Sequence, residues 1–138
     1  MEKLPLVRDH MDKHVATLSP EVNILDAIGF LLEKRVTGAP VVDKSGRLVG
    51  ILTEKDCLKL VSSGIDGNLP RGSVETYMTP NPETIPPTMD VFFAAGLFLT
   101  RDFRRFLVVE NGTLVGAITR FDILRVIAAN LSMAGRRR

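Results

Sequence analysis

Gly50-Ile-Leu-Thr53-Glu-Lys-Asp56, near the middle of the chain, returns close to its end as Gly116-Ala-Ile-Thr119-Arg-Phe-Asp122. A second pair of matching segments precedes these motifs in the same order: Val41-Val-Asp43 returns as Val108-Val-Glu110. Repetition at a long, fixed period indicates a supersecondary unit that cannot bury its apolar face alone. We therefore predict two pseudo-symmetric copies that pack on each other and leave a seam where a small molecule can bind.

The two copies differ in length by one residue. Met11 and Met78 lie 67 residues apart, whereas the two repeated glycines lie 66 apart. The difference falls between Asp43-Lys-Ser-Gly46 and Glu110-Asn-Gly112, which read as hairpin turns. Turns accept insertions more easily than helices or strands do, so the gap supports the alignment. We expect the two methionines to be packing residues.

Each copy predicts the same order of elements. An extended segment precedes a helix, a hairpin and a second helix. In the first copy these four elements are predicted, in that order, at 15–18, 24–32, 39–52 and 54–61. In the second copy they are predicted at 84–85, 91–99, 106–119 and 120–129. Asn23 and Asp90 are the predicted helix N-caps. This β-α-β-β-α order predicts an α/β (α+β) fold class with the two repeats packed sheet to sheet.

The predicted domain boundaries are 7–62 for the first repeat, 63–73 for a linker and 74–130 for the second repeat. The linker is rich in Ser, Gly and Pro. Neither copy, at about 60 residues, buries enough surface to be comfortably stable alone. Gly29 and Gly96 occupy matching positions inside the first helix of each copy, which predicts close helix packing at both.

Composition excludes several classes of protein. With 18 basic and 16 acidic side chains, the net charge of +2 does not predict a nucleic-acid partner. The single Cys57 excludes an intramolecular disulfide and a cysteine-based metal cage, and we expect a free, half-buried thiol. No stretch is apolar for long enough to predict a signal peptide or a membrane partner, so we expect a cytoplasmic location. The run Arg136–Arg138 is expected to be a solvated tail.

The repeated Gly-x-x-Thr-x-x-Asp motif has two interpretations. In the structural one, Thr53 with Asp56, and Thr119 with Asp122, form capping boxes that start the second helices. In the functional one, the carboxylate accepts two hydrogen bonds from a vicinal diol such as ribose, and the helix N-terminus holds a phosphate. The retained glycine also permits close approach of a backbone or ligand. Together these features match a nucleoside phosphate.

The ordered set of motifs resembles a CBS domain, present twice as a CBS pair, or Bateman module, over about residues 7 to 130. The first copy contributes Ala39-Pro-Val-Val-Asp43 and Gly46 through Asp56, and the second contributes Phe106 through Asp122. The resemblance implies a regulatory fold that binds AMP, ADP, ATP or S-adenosylmethionine in the cleft between the copies. It implies no catalytic residue, no metal and no required cofactor.

The resemblance also implies roles for individual residues. The aspartates of the motif would bond the ribose hydroxyls, and the threonines would lie near ribose and phosphate. Residues around the adenine would be Thr17, Gly38, Ala39 and Pro40 in the first copy and Thr84 and the strand starting at Phe106 in the second. Basic residues before that strand, Arg104 and Arg105, would meet phosphate, in the cleft that contains Asp56.

Two departures predict that the clefts are not equivalent. The second copy has Arg104-Arg105 where the first has Thr37-Gly38, and Leu107 stands where the first copy has Pro40. The two clefts should therefore differ in their affinity for a charged phosphate tail. The alternative interpretation of the two arginines is a solvated approach to the strand.

The leading hypothesis is a ligand-sensing regulatory module, not an enzyme, that reports to an unknown downstream protein. The alternative is a non-catalytic homodimeric assembly module with vacant clefts. A homodimer is expected in either case, because residues 91–99 are apolar nearly all round the helix and CBS pairs commonly associate through helices. On a helix His10 and His14 would share one face, as a metal pair requires, but no third ligand is evident, and we expect ordinary surface histidines.

Overall fold

The computed structural model describes residues 4–63 and 70–136. Within them the helices are α1 (Ile24–Lys34), α2 (Glu54–Ser63), α3 (Val74–Tyr77), α4 (Val91–Thr100) and α5 (Arg120–Arg136), after a short 3-10 helix at Val7–Asp9. The strands are β1 (Gly38–Val42), β2 (Leu48–Thr53), β3 (Thr79–Pro80), β4 (Thr84–Ile85), β5 (Arg105–Glu110) and β6 (Thr113–Thr119). Residues 64–69 of the predicted linker, and 137–138 of the predicted tail, lie outside the described residues.

The mixed α+β fold class is confirmed. One three-stranded sheet has the order β1-β2-β3 and the other has β4-β5-β6. The chain forms two compact units, which we name after their motif aspartates: the Asp56 unit comprises Ala16–Pro82 with Gly112–Leu114, and the Asp122 unit comprises the remaining residues. Sheet-to-sheet packing of the two copies stays a prediction.

The Asp56 unit is built around antiparallel strands β1 and β2. Helix α1 begins at the predicted cap, where the Asn23 side chain accepts a hydrogen bond from the Leu25 amide at 2.8 Å. The helix ends at Arg35, whose left-handed φ of 56° turns the chain towards β1. The residues buried between α1, α2, α3 and the sheet are aliphatic: Leu18, Ile24, Ala27, Leu31, Ala39, Val41, Leu52, Leu60 and Val74.

The Asp122 unit repeats this plan with an aromatic pair in its core. Asp90 caps α4 as predicted, accepting a hydrogen bond from the Phe93 amide at 2.8 Å. The rings of Phe98 on α4 and Phe106 on β5 pack with centroids 4.5 Å apart. Strand β4 pairs in parallel with β5, as Leu18 pairs in parallel with Val41 in the Asp56 unit.

Each sheet is completed by a segment from the start of the other sequence repeat. Thr79 in β3, which precedes the second repeat's core, pairs with Ile51 of β2. Asp12, which precedes the first repeat's core, bridges Ala117 of β6 through two backbone hydrogen bonds of 2.8 and 3.0 Å. The compact units therefore interleave along the sequence. The predicted domain boundaries follow the two sequence copies and not these compact units. They stay a prediction.

The motif glycines accommodate this exchanged segment. A Cβ atom at Gly50 would lie 2.5 Å from the sulfur of Met78 and 2.9 Å from the Thr79 carbonyl oxygen. A Cβ atom at Gly116 would lie 2.6 Å from the sulfur of Met11 and 2.7 Å from the Asp12 carbonyl oxygen. The backbone approach predicted for these glycines is therefore made by the chain itself, and both methionines pack at the cores as expected.

Three features of local structure differ from what the sequence suggested. Nothing lies within 4 Å of a Cβ atom built at Gly29 or Gly96, so no element of the described chain packs closely there. The segment holding His10 and His14 is not helical, because the 3-10 helix ends at Asp9 and Asp12 joins β6. Helix α5 does not stop near residue 129 but continues to Arg136, the first residue of the predicted tail.

We predict opposite effects of alanine at the two kinds of repeated glycine. Gly50→Ala and Gly116→Ala force the methionine and the exchanged backbone apart, and should lower the free energy of unfolding by about 1–3 kcal/mol. The control Gly29→Ala meets no neighbour in the chain and should raise it by about 0.5–1 kcal/mol. Urea denaturation followed by circular dichroism measures all three, and equal effects at both kinds of position would contradict the packing described.

Candidate functional site

Asp56 and Thr53 form a closed set of hydrogen bonds where β2 turns into α2. The Oδ2 atom of Asp56 accepts from the Thr53 amide at 2.9 Å and from the Thr53 hydroxyl at 3.0 Å. The Asp56 amide donates back to the Thr53 hydroxyl oxygen at 3.3 Å. We call this arrangement the Asp56 clamp. It is a capping box, so the structural interpretation of the motif is confirmed here.

The Asp122 clamp, between β6 and α5, has the same geometry. Asp122 Oδ2 accepts from the Thr119 amide at 2.8 Å and from its hydroxyl at 3.0 Å, and the Asp122 amide donates to that hydroxyl at 3.2 Å. In both clamps the cap uses only Oδ2. The Oδ1 atom of each carboxylate is therefore the oxygen that remains for a further donor.

The two Oδ1 atoms have different partners, and sequence reasoning missed both. Asp56 Oδ1 accepts from the Thr79 hydroxyl at 3.1 Å, across the exchanged segment. Asp122 Oδ1 forms an ion pair with Arg125, one helical turn further along α5. The i,i+3 spacing of Asp122 and Arg125 was a usable signal for the second contact. No local signal exists for Thr79, because it comes from another part of the chain.

The other candidate residues of the first copy gather beside the Asp56 clamp. In the antiparallel register of β1 with β2, Gly38 lies opposite Thr53, and Ala39 and Pro40 follow along the same strand. A Cβ atom at Gly38 would lie 3.3 Å from the Thr53 methyl group. Thr17 precedes Leu18, whose amide donates to the Pro40 carbonyl oxygen at 2.9 Å. The structure thus places Gly38 beside the clamp, Ala39 and Pro40 further along β1, and Thr17 next to the residue that pairs with that strand.

The candidates of the second copy occupy β4 and the start of β5. Thr84 is exposed and lies opposite Leu107 in the parallel register of the two strands. Phe106 is 1% exposed and its ring belongs to the core, so its side chain packs inside the unit and does not line a surface for a ligand. Arg104 is exposed and Arg105 is half-buried. Arg104 and Arg105 correspond to Thr37 and Gly38 of the first copy.

Burial and Asp12 act on Arg105 in opposite directions. Desolvation lowers the pKa of the Arg105 guanidinium, and the negative charge of Asp12 partly counteracts this. Asp12, also missed from the sequence, holds the position that Thr79 holds in the other unit. The start of β5 therefore presents a partly desolvated cation next to a carboxylate. A desolvated guanidinium binds an oxyanion more strongly than a fully hydrated one does.

Other arginines of the second copy are engaged elsewhere. Arg101 forms an ion pair with Glu83 at 2.8 Å, and the hydrogen bond that Arg101 donates to the Glu83 carboxylate raises the pKa of Arg101. Arg120 donates to the Phe103 carbonyl oxygen at 3.0 Å. These side chains stabilise the local structure around the end of α4. A phosphate-binding role for Arg104 and Arg105 stays a prediction.

Two further observations cover the part of the chain that the structure describes. No group of three or more His, Cys, Asp or Glu side chains there is arranged to hold a metal ion. No helix found among those same residues combines the length and the apolar character that crossing a bilayer requires.

Comparison with known families covers most of the chain. The sequence model of the CBS domain matches residues 7–63 and again residues 74–129. YhcV of Bacillus subtilis, described as a CBS domain-containing protein, is 32% identical over 118 residues, which cover 85% of this chain and 81% of YhcV.

Solved structures of CBS pairs share the fold. The crystal structure of CBSX2 in complex with AMP superposes with a TM-score of 0.78 at 32% identity, covering 91% of this chain and 97% of the other. CBSX2 is a protein of Arabidopsis thaliana. The CBS pair of MJ0100, in complex with 5′-methylthioadenosine and S-adenosylmethionine, superposes with a TM-score of 0.74 at 26% identity, covering 93% and 99% of the two chains.

Several curated relatives are much longer than the matched region. The chain spans 15% of the A-adding tRNA nucleotidyltransferase of Aquifex aeolicus, to which it is 34% identical over 125 residues. It spans 58% of full-length CBSX2. The same pair of domains is thus found next to other activities, and those activities say nothing about this chain.

Cys57 follows Asp56 and offers a direct measurement of the first clamp. Burial and, to a smaller extent, the Asp56 carboxylate raise the pKa of the Cys57 thiol. Because the thiolate is the reactive form, we predict that alkylation by iodoacetamide has a pH midpoint above that of a free cysteine. Asp56→Asn should lower this midpoint and speed labelling at pH 7.5. The control Asp122→Asn should leave it unchanged, and mass spectrometry of the single cysteine gives the rates.

Proposed function

Because this chain belongs to the CBS-domain family, with two domains in tandem, we propose that it is a non-catalytic regulatory module that binds an adenosine-type nucleotide. The observation that carries the proposal is the clamp formed twice with the same geometry. In each clamp a partly buried carboxylate is fixed by two donors and keeps its second oxygen for another group. The ligand class is AMP, ADP, ATP or S-adenosylmethionine.

The Asp56 clamp explains how a ribose could bind. The hydroxyl of Thr79 occupies Asp56 Oδ1 in the structure, and a ribose hydroxyl can take its place. One neutral hydroxyl then replaces another, so no charge is separated. The fixed orientation of the carboxylate means that little further ordering is needed on binding.

Phosphate recognition is proposed to come from two sources. The first turns of α2 and α5 present backbone amides at the positive end of each helix dipole, directly after the clamp threonines. Arg104 and Arg105 add positive charge at the start of β5, and Arg105 is partly desolvated. Combining Arg105→Gln with Asp56→Ala and, separately, with Asp122→Ala decides at which clamp these arginines contact the phosphate.

The structures of relatives support the ligand class. CBSX2 was crystallised with AMP, and the MJ0100 pair with 5′-methylthioadenosine and S-adenosylmethionine. All three ligands share adenine and ribose and differ in the group at the 5′ position. We therefore place recognition of adenosine at the clamps and selection of the 5′ group at nearby side chains.

A cytoplasmic location agrees with the free thiol of Cys57.

A homodimer is also proposed, since it serves either a sensor or an assembly module. Helix α4 has no charged residue and exposes Phe92, Phe93 and Leu99, with Leu99 at 89% exposure. Together with α5 it lines a groove of about 730 Å³ that includes Ala95, Phe98 and Leu124. An exposed apolar surface of this kind is typical of an interface, and a twofold axis would cover it with its own copy.

Ligand titration tests the sensor function. We expect AMP, ATP or S-adenosylmethionine, present at 100 times its dissociation constant, to stabilise the protein by about 2.7 kcal/mol, measured as a thermal shift with calorimetry. Asp56→Ala and Asp122→Ala should each weaken one binding step. Turnover of the ligand during incubation, detected by chromatography, would refute the non-catalytic assignment.

Two results would decide against this function. The absence of any shift with all three ligands at millimolar concentration would favour the assembly module with vacant sites. Binding that neither aspartate variant weakens would place the nucleotide away from the clamps.

Substitution at Leu99 tests the dimer. Leu99→Lys puts a charge on the apolar face and should convert the dimer to a monomer at micromolar concentration. Leu99→Ala removes only apolar area, about 1.5–3 kcal/mol for each buried leucine, and should weaken the dimer less. Sedimentation equilibrium measures both; a wild-type chain that is monomeric, or a Leu99→Lys dimer of unchanged affinity, contradicts this interface.

A further inference from the structure

The two clamps differ in how the charge of the aspartate is balanced. Asp122 Oδ1 is paired with the guanidinium of Arg125, whereas Asp56 Oδ1 accepts from a neutral hydroxyl. Lys59 is the repeat equivalent of Arg125, also three residues beyond its aspartate. Within residues 4–63 and 70–136, no ion pair joins Lys59 to Asp56. The repeat therefore keeps a cation at both positions, and only one of them engages the clamp.

The ion pair lies on the solvent side of the Asp122 clamp. The side chain of Asp122 is 11% exposed and that of Arg125 is 71% exposed. Oδ2 accepts both hydrogen bonds from Thr119, whereas Oδ1 is paired with the exposed guanidinium, so Oδ1 is the oxygen at which a ligand would be recognised. A ligand arriving from solvent at Oδ1 meets the guanidinium first and has to displace it.

We propose that Arg125 is a specificity-determining residue of the Asp122 clamp, selecting nucleoside phosphates over uncharged nucleosides. This rests on the proposed function, since it assumes that the clamp binds ribose. Uncharged adenosine must break the ion pair and leave the guanidinium without a partner. A nucleotide also breaks it, but its phosphate offers the released guanidinium a new anionic partner.

The size of the effect follows from the exposure of the pair. An ion pair whose cation is largely open to solvent, as Arg125 is, changes an equilibrium by roughly two- to fivefold, and salt screens it. Adenosine should therefore bind the Asp122 clamp more tightly as salt rises, which is unusual for a neutral ligand. The Asp56 clamp exchanges one hydroxyl for another, so its affinity for adenosine should not depend on salt.

The test uses the full chain with one clamp disabled at a time. In an Asp56→Ala background, which leaves the Asp122 clamp, Arg125→Gln removes the charge and keeps a good helix former. In an Asp122→Ala background, Lys59→Gln is the matched control at the equivalent position. Calorimetric titrations with adenosine and with AMP are made at 50 and 500 mM NaCl.

Arg125→Gln should tighten adenosine binding roughly two- to fivefold at low salt and abolish its salt dependence. It should also lower the ratio of AMP to adenosine affinity. Lys59→Gln should change neither adenosine affinity nor its salt dependence. If Asp56→Ala binds no adenosine, appearance of binding on adding Arg125→Gln supports the proposal, and continued absence overturns it.

Unchanged or weaker adenosine binding by the Arg125→Gln variant overturns the proposal. That result would leave the proposed function standing as long as the wild-type chain binds a nucleotide through Asp56. The same titrations with Arg125→Gln in the wild-type background cover the case in which Asp56→Ala does not fold. There, two unaltered adenosine-binding steps count against the proposal.

Discussion

The pair of hydrogen bonds from each clamp threonine to its aspartate fixes the turn between the last strand and the last helix of each unit. This turn determines where α2 and α5 begin and hence which of their faces cover the sheets. Because the cap consumes only Oδ2, the same contact leaves Oδ1 directed away from the turn. One interaction thus orders the fold and prepares the position at which a ligand can be recognised.

Much of the fold could be predicted because its determinants are local. The caps at Asn23 and Asp90, the hairpins and the clamps all depend on residues within a few positions of one another. The exchanged segments could not be predicted, because a two-residue strand has no periodicity to detect. Identical residues at Gly29 and Gly96 suggested a packing constraint, yet both face open space. Recurrence alone therefore does not reveal what a residue contacts.

The residues of the candidate site could also be predicted from the sequence only in part. Sequence indicated the threonines, the aspartates and the arginines before β5, all of which the repeat or the family resemblance singles out. It did not indicate Thr79, which reaches Asp56 from a segment distant along the chain. Arg125 was overlooked because an i,i+3 charge pair is common on exposed helices and rarely has a specific role. The differences between the two clamps thus arise from residues outside the motif.

The exchange of edge segments limits which part of such a chain can be transferred to another protein. A single repeat excised from the pair would lose the residue, Asp12 or Thr79, that completes its sheet, and would expose an unpaired strand edge prone to association. The smallest piece that can be moved between proteins without this defect is the whole pair. The matched relatives agree, since longer proteins such as the Aquifex nucleotidyltransferase align with 91% of this chain, not with half of it.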